Sequence, residues 1–597
     1  MKKRVADIIM DILCENGISD CFSVVGGGAM HLNNAFARCD KINKYYNHHE
    51  QACAMSAEAY VRVSGKLPVV CVTSGPGGTN TLTGVLCAWQ DSLPMLILAG
   101  QVRTEISVEW TGLPLRQRGE QEYEIVPAVR HMTKYANKVT NPLEIRRELQ
   151  KAIDIALSGR RGPVWLDIPL DVQGAIVEEE DLYAAQQNKN DLSPAPYRKD
   201  IDFLNEILQE AKRPCILVGS GVRVSNTVEK FRAYVNKVKV PVVAGIHVAD
   251  AHYLEYPLYY GMSGTIGPRV GNFILQNADV IVTIGNSLHL TQTGFNQEAF
   301  APNAKIIMVD IDQNEAYKPG LRVYKLIHAD LDKFFDMADK YAEEINAPEE
   351  WITYCNRLRE RFPIIEIPQD LNMKGKVRQN YFWSIFDKKE PEDCIVAFGN
   401  SMGVAGVVQK GIQKPRQRLI ANFWVGTMGN DLPEAFGAAI AAKREVICTT
   451  GDGSIMMNLQ ELQTIKHYNA PVKIVLFSNQ GYGTIRNTCK NFFDGTKVGC
   501  DPESGVGMPD FEKIADAFGY HYRRCATNEE AEDCIDWLFA SERHAFLEVM
   551  QDFDDVFEPK LQSRILPDNS FATPALHDMA PFIDKEELDN WMLWDKQ

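Results

Sequence analysis

No run of about 18 uncharged apolar residues, the length a membrane-spanning helix requires, occurs in the 597-residue sequence. Met1-Lys2-Lys3-Arg4 opens like the charged lead of a secretory signal, but Asp7 and Asp11 break the apolar stretch that should follow. No membrane association is therefore expected. Basic excess is missing as well: 63 Lys and Arg stand against 79 Asp and Glu, a net charge of −16, whereas nucleic-acid binding rests on a basic surface. Nucleic acid is thus not an expected partner, though backbone amides and a metal can still hold a small anion locally. The 14 cysteines, scattered as at Cys14, Cys53, Cys215 and Cys448, contain no CxxC pair and no dense framework. A reducing, cytoplasmic location is expected, with most of them serving as small core residues. Short repeats and low-complexity tracts are also absent, and a composition 45% hydrophobic and 24% charged over this length predicts several globular domains.

What is present is an α/β texture that recurs along the chain. Residues 21–25, 69–73, 95–99 and 164–168 are short β-rich runs, with amphipathic helical stretches at 51–64 and 79–90 between them, an alternation typical of a parallel sheet. This first domain spans 1–177. The segment 178–200 is polar, contains Gln186-Gln187-Asn188-Lys189-Asn190, Pro194 and Pro196, and reads as an exposed linker. A second α/β domain, 198–346, has strand candidates at 216–218, 240–244, 280–284 and 306–309; a third, 370–550, has them at 395–398, 446–450, 472–478 and 545–549. The tail, 551–597, ends in an amphipathic stretch at 585–594 suited to docking on the body or on a partner chain. The expected fold is α/β: three doubly wound parallel-sheet domains plus a C-terminal tail.

The third domain carries the most informative stretch. A buried strand at 446–450 delivers Gly451-Asp452-Gly453-Ser454 to the carboxyl edge of the sheet, and the flanking glycines let backbone amides approach a ligand. The strand at 472–478 brings Asn479-Gln480-Gly481 to the same edge. A carboxylate from Asp452, a side-chain amide from Asn479 and the backbone carbonyl of Gly481 are hard oxygen ligands, which Mg²⁺ takes while it also holds phosphate oxygens. The pattern predicts a diphosphate site, although a plain Gly-Asp-Gly turn followed by an unrelated Asn would read alike.

This succession resembles the thiamine-diphosphate-binding motif, with Ser478 where many members carry a first Asn. The upstream segments Gly399-Asn400-Ser401-Met402 and Gly426-Thr427-Met428-Gly429 fit the same resemblance: it implies that the first loop faces the diphosphate and that Met428 wedges between the two cofactor rings. In the first domain, Glu50 stands at the start of a helix rich in small residues, where the helix dipole favours a carboxylate for purely structural reasons. His49-Glu50-Gln51, that helix and Thr73-Ser74-Gly75-Pro76-Gly77-Gly78-Thr79-Asn80 nevertheless resemble the pyrimidine-binding domain of acetolactate synthases. The resemblance implies that Glu50 hydrogen-bonds the aminopyrimidine and promotes loss of the thiazolium proton. The two motifs lie about 400 positions apart and need each other chemically.

Val24-Val25-Gly26-Gly27-Gly28, Gly100-Gln101-Val102, Gly162-Pro163-Val164 and Asp167-Ile168-Pro169 extend the resemblance to acetolactate synthases over nearly the whole chain. It implies cofactor contacts at Val25, Gly26, Gly27, Glu50, Thr73, Pro76 and Asn80, and at Gly399, Asn400, Ser401, Gly426, Met428, Gly451, Asp452, Gly453, Ser454, Asn479, Gly481 and Tyr482. Asp452, Asn479 and Gly481 would hold Mg²⁺. The implied chemistry is decarboxylation of a 2-keto acid such as pyruvate to an enamine and its addition to a second carbonyl, in a homodimer or homotetramer whose sites lie between chains.

Departures cluster at the substrate. Glu120-Gln121-Glu122 stands where acetolactate synthases have Phe-Gln-Glu, and Leu170 follows Asp167-Ile168-Pro169 where they have Lys. Gln121 is the candidate for a polar contact to intermediates. Besides the acetolactate-type reaction, a carbon–carbon ligase or lyase acting on a larger polar carbonyl such as a keto sugar stays open, as does a catalytically silent subunit, against which Glu50, Asp452 and Asn479 speak. In the middle domain Gly219-Ser220-Gly221, Gly261-Met262-Ser263-Gly264-Thr265 and Gly285-Asn286-Ser287 resemble places that bind FAD, but Ser287-Leu288-His289-Leu290-Thr291-Gln292 replaces the family's Arg-Phe-Asp-Asp-Arg run. Two readings remain there: an FAD site, or a spacer domain. His31, in the glycine-rich turn, is a candidate proton relay or a structural histidine.

Overall fold

The computed structural model describes residues 1–184, 193–422, 424–565, 568 and 570–594. Residues 185–192, the middle of the expected linker, lie outside the described residues, as do Pro567 and Asn569 of the tail. The chain forms two compact units, one of residues 1–192, 420–448 and 454–472, the other of 193–419, 449–453 and 473–597.

The first unit is built on a parallel six-stranded sheet. Its strands lie in the order Asn43–Tyr46, Asp20–Ser23, Val69–Val72, Met95–Gln101, Pro163–Pro169, Tyr135–Lys138. The inner strands, such as Val69-Val70-Cys71-Val72, are apolar without alternation because helices cover both faces. A short antiparallel pair that the sequence pattern does not disclose joins Lys2–Arg4 to Ile176–Glu178. Helix Glu50–Ser64 is capped by His49, whose Nδ1 accepts from the Gln51 amide at 3.1 Å, and it stops at Gly65, left-handed at φ 67°. Its run of small residues has a packing cause. A Cβ on Gly437 of helix Asp431–Ala442 would lie 2.0 Å from the Ser56 carbonyl oxygen, and one on Gly84 would lie 2.5 Å from the Ala54 Cβ. The helices meet backbone to backbone, which larger side chains would prevent.

In the second unit the central sheet runs Tyr259–Met262, Val242–Ala244, Pro214–Val218, Val280–Ile284, Lys305–Asp310, Val323–His328. The third sheet runs Arg418–Ile420, Ile395–Phe398, Val446–Gly451, Val472–Ser478, Ala545–Met550, His521–Cys525. Numbered within each domain, the outer sheets share the order 2-1-3-4-6-5 and the central one has 3-2-1-4-5-6, so the three domains are alike in class but not in winding. The tail docks on the central domain. Arg269 donates to the carbonyls of Met579 and Pro581 at 3.1 and 2.6 Å, and the Trp594 indole donates to that of Gln276 at 2.9 Å. The amphipathic stretch contributes one short helix, Lys585–Asn590.

Candidate active site

In a 2-1-3 sheet the chain leaves the first and third strands in opposite directions, opening a crevice at their carboxyl ends. In the first unit these strands are Asp20–Ser23 and Val69–Val72, and the loops after them interlock. The Gly28 amide donates to Thr73 Oγ1 at 2.9 Å, and a Cβ on Gly26 would lie 2.5 Å from the Thr73 Cβ. Gly27 instead faces open space, since a Cβ there would meet nothing within 4 Å, and Val25 is exposed. This edge is open to a ligand. Pro76 begins the short helix Pro76–Asn80, at whose end the Asn80 side chain donates to Glu50 Oε2 at 2.9 Å. One carboxylate oxygen of Glu50 is thereby fixed at the start of its helix.

The turn holding Gly426 and Met428 belongs to the same unit. Gly426 and Gly429 are left-handed at φ 62° and 80°, and Met428 is half-buried. The Gly429 amide donates to Ser454 Oγ at 2.9 Å, and that hydroxyl donates to Asp431 Oδ2 at 2.7 Å, so the Ser454 side chain holds the turn itself. Asn458, which motif reading does not single out, donates from Nδ2 to the Gly429 carbonyl at 2.7 Å and to Gln51 Oε1 at 3.1 Å. It therefore ties the residue after Met428 to the residue after Glu50. Buried Glu461 accepts from the Asn47 side chain at 2.9 Å and the His48 amide at 3.0 Å, anchoring the chain as it enters the Glu50 helix.

In the second unit, Gly399-Asn400-Ser401 and Gly451-Asp452-Gly453 leave the corresponding strands. A Cβ on Gly451 would lie 2.5 Å from the Ser401 Cβ, and one on Gly453 would lie 2.3 Å from the ring of Tyr482. Asp452 Oδ2 accepts from the amides of Asn479 and Gly481 at 2.9 and 3.1 Å, and Oδ1 from the Gly453 amide at 2.8 Å. Burial pushes the Asp452 carboxyl up to about 6 in spite of these amides. Gly481 has φ 135°, and a Cβ there would lie 2.2 Å from the Cys500 carbonyl oxygen, so only glycine turns the chain here. Two buried oxygens in this crevice, Asn479 Oδ1 and Ser401 Oγ, have no partner among the described residues. Buried acceptors are rarely left so. Nor do the described residues contain a cluster of three or more His, Cys, Asp or Glu suited to a metal. The mixed oxygen set of Asp452, Asn479 and Gly481 fits a hard divalent cation, with Ser401 beside it for phosphate.

Gln121 is exposed and left-handed at φ 58°, and its carbonyl oxygen would lie 2.4 Å from a Cβ on Gly75. Glu120 is exposed, whereas Glu122 organises the loop by accepting from the amides of Val108, Arg118 and Gly119. His31 packs against Gly174, where a Cβ would lie 2.8 Å from its Nε2; burial and then the Arg4 charge hold its imidazole below the ordinary value.

The central domain's glycine loops close on one another. A Cβ on Gly219 would lie 2.1 Å from the Gly285 carbonyl oxygen, one on Gly245 would lie 2.9 Å from Asn286 Nδ2, and one on Gly264 would lie 2.6 Å from the Thr291 carbonyl oxygen. Gln292 donates to Ser263 Oγ at 2.7 Å. The close approach that glycine allows is directed at neighbouring loops of the same domain.

Three family profiles match the sequence: thiamine pyrophosphate enzyme, N-terminal TPP binding domain, over residues 3–125; thiamine pyrophosphate enzyme, central domain, over 201–334; and thiamine pyrophosphate enzyme, C-terminal TPP binding domain, over 399–549. The acetolactate synthase isozyme 2 large subunit of Escherichia coli (strain K12) is 30% identical over 549 residues, 92% of this chain and 95% of that protein. A probable acetolactate synthase large subunit of Methanococcus aeolicus is 32% identical over 549 residues, 89% of each chain. The acetolactate synthase large subunit of Lactococcus lactis subsp. lactis (strain IL1403) is 29% identical over 526 residues, 86% of this chain and 87% of that protein.

Proposed function

Because the chain belongs to the thiamine pyrophosphate enzymes, in their acetolactate synthase-like branch, we propose that it decarboxylates a 2-keto acid such as pyruvate and joins the remaining fragment to a second carbonyl, using thiamine diphosphate held through Mg²⁺. The observation that carries the cofactor reading is the buried Asn479 Oδ1, without a partner among the described residues, beside Asp452 in the crevice of the third sheet. When bound, thiamine diphosphate supplies the centre that stabilises the carbanion left by CO₂ loss.

The chain's own residues bind, orient and move protons. Asp452, Asn479 and the Gly481 carbonyl would hold the metal, and with Gly399, Asn400, Ser401 and Gly453 they would seat the diphosphate. Gly26, Gly27 and Thr73 offer a backbone edge to the pyrimidine. Glu50, fixed by Asn80 at 2.9 Å, would exchange a proton with the aminopyrimidine of the bound cofactor. Met428, which precedes the Gly429 carbonyl held by Asn458, would set the cofactor's bend. Gln121 is the polar contact to the bound substrate and His31 a proton relay. The closed glycine loops favour a central domain that works as a spacer without FAD.

Large apolar side chains exposed on the first unit, among them Val25, Met30, Trp110 and Leu113, support a homodimer or homotetramer. Fourteen unbridged cysteines support a reducing cytoplasm, and no helix among the described residues is long and apolar enough to cross a membrane. Exposed Glu120 favours, as a second reading, a larger polar acceptor such as a keto sugar. Supplying pyruvate, Mg²⁺ and thiamine diphosphate, with and without FAD, should yield CO₂ and acetolactate. Absence of CO₂ release from every 2-keto acid tried would reject the proposal, and CO₂ release with coupling only to a polyhydroxylated acceptor would select the second reading.

A further inference from the structure

A side-chain amide can ligate a metal only through its oxygen, and because the two ends of the Asn479 amide are alike in shape, only which neighbour accepts and which donates tells them apart. The neighbours decide the matter here. Asn479 Nδ2 donates to Gln551 Oε1 at 3.0 Å, Gln551 Nε2 donates to Asp555 Oδ2 at 3.0 Å, and Asp555 Oδ1 accepts from Arg378 Nε at 2.7 Å. We propose that Arg378, Asp555 and Gln551 form a polarity relay that fixes the orientation of the Asn479 amide and so presents its carbonyl oxygen to the metal. The relay rests on the reading of this crevice as a thiamine diphosphate and Mg²⁺ site.

Each link follows from the last. Arg378 pairs with Asp555, whose second oxygen also accepts from the Gln379 amide at 2.9 Å. An ionised carboxylate accepts only, so Gln551 must turn its NH₂ toward it. The Gln551 carbonyl then points to Asn479 and accepts only, so Asn479 must offer its own NH₂. The oxygen left over is Asn479 Oδ1, buried without a partner among the described residues. Asn479, Gln551 and Asp555 are 8%, 1% and 4% exposed, so bulk water cannot supply the alternative partners that a flipped amide would need. Backbone bonds hold the register: the Gln551 amide donates to the Ser478 carbonyl at 3.0 Å, and Arg486 Nη2 to the Asn479 carbonyl at 2.9 Å. Gln551, Asp555 and Arg378 are positioning residues. None of them needs to touch the cofactor.

The test measures the Mg²⁺ dissociation constant of the full-length protein in saturating thiamine diphosphate, together with thermal unfolding of the apo form. Gln551→Met keeps the length and removes the polarity; Mg²⁺ affinity should fall by about tenfold to a hundredfold, as for other outer partners of metal ligands. Asp555→Asn should also weaken Mg²⁺ binding. The double variant Gln551→Glu with Asp555→Asn restores an acceptor toward Asn479 and a donor from position 555, and it should bind Mg²⁺ more tightly than Asp555→Asn alone. Should Gln551→Met fail to fold, the comparison of Asp555→Asn with the double variant still decides. A Gln551→Met affinity within about twofold of the wild type, well short of the loss expected for such a partner, or a double variant no better than Asp555→Asn alone, overturns the relay while leaving the cofactor assignment intact. A wild-type protein that binds no Mg²⁺ with thiamine diphosphate overturns both.

Discussion

Glu50 and Asp452 are both carboxylates placed by backbone geometry, yet their surroundings prepare them for different tasks. Glu50 keeps one oxygen on the Asn80 amide, and a glutamine could accept that same bond. Glu50→Gln should therefore retain thiamine diphosphate affinity while turnover falls by about 10²- to 10⁴-fold, the range lost with a general acid–base; titration calorimetry and CO₂ release measured on one preparation separate the two, and undiminished turnover would remove Glu50 from the proton path. Asp452 faces three amides inside a buried crevice, so Asp452→Ala should abolish Mg²⁺-dependent cofactor binding altogether. Both residues are legible in the sequence because glycines, strand ends and a helix start surround them at readable spacing. Asn458, Glu461 and Gln551 are not. Each acts through one or two hydrogen bonds to residues distant in sequence, such as Gln51, Asn47 and Asn479, and a lone polar residue on an amphipathic stretch carries no periodic signal.

Among the elements, the pairing of helices Glu50–Ser64 and Asp431–Ala442 is set by what is missing at Gly437. Its Cβ position falls 2.0 Å from a backbone oxygen, which cannot rotate away as a side chain would. Gly437→Ala should destabilise the first unit by at least about 1–3 kcal/mol, the usual cost of overpacking, visible as a lowered denaturation midpoint; an unchanged midpoint would mean that the helices separate without cost. The loop from 107 to 122 is held differently, through one carboxylate. Burial works against the ionised form of Glu122, yet the amides of Val108, Gly119 and Arg118 keep it below the usual carboxylate range. Glu122→Ala should loosen the segment carrying Gln121 and raise KM for the keto acid more than it lowers kcat. An equal fall in kcat and kcat/KM, with KM unchanged, would argue that the loop serves the reacting state alone. Inner strands such as Val280–Ile284 and Val472–Ser478 coincide with the apolar runs in the sequence, whereas edge strands such as Tyr135–Lys138 and His521–Cys525 do not stand out, because half-exposed polar residues there dilute the pattern.

For the molecule as a whole, pH dependence and cofactor content are both measurable consequences of packing. Burial pushes Asp167, on strand Pro163–Pro169, up to about 7 despite its hydrogen bond from Gln101. An unfolded aspartate titrates near about 3.9, so between these values the unfolded chain holds fewer protons at this position than the folded one, and the contribution of Asp167 to stability falls as pH rises toward about 7 and then levels off. Asp167→Asn should accordingly gain more in denaturation midpoint over the wild type at about pH 8 than at about pH 5, on either side of the folded-state value, and an equal gain at both would refute the assignment. The purified protein should also lack the visible absorbance of a bound flavin, because the central loops pack on each other; a stoichiometric yellow chromophore would overturn that reading. By itself the sequence determined the class of fold and the thiamine diphosphate family, and it pointed to the two carboxylates proposed to serve the cofactor, since these depend on local periodicity, glycine placement and short motifs. Only the tertiary structure decided which way the Asn479 amide faces, that the Ser454 hydroxyl holds the turn carrying Met428, and that the central domain's glycines meet neighbouring loops. Those outcomes depend on donors, acceptors and backbone surfaces brought together from distant parts of the chain, and no local pattern encodes such a meeting.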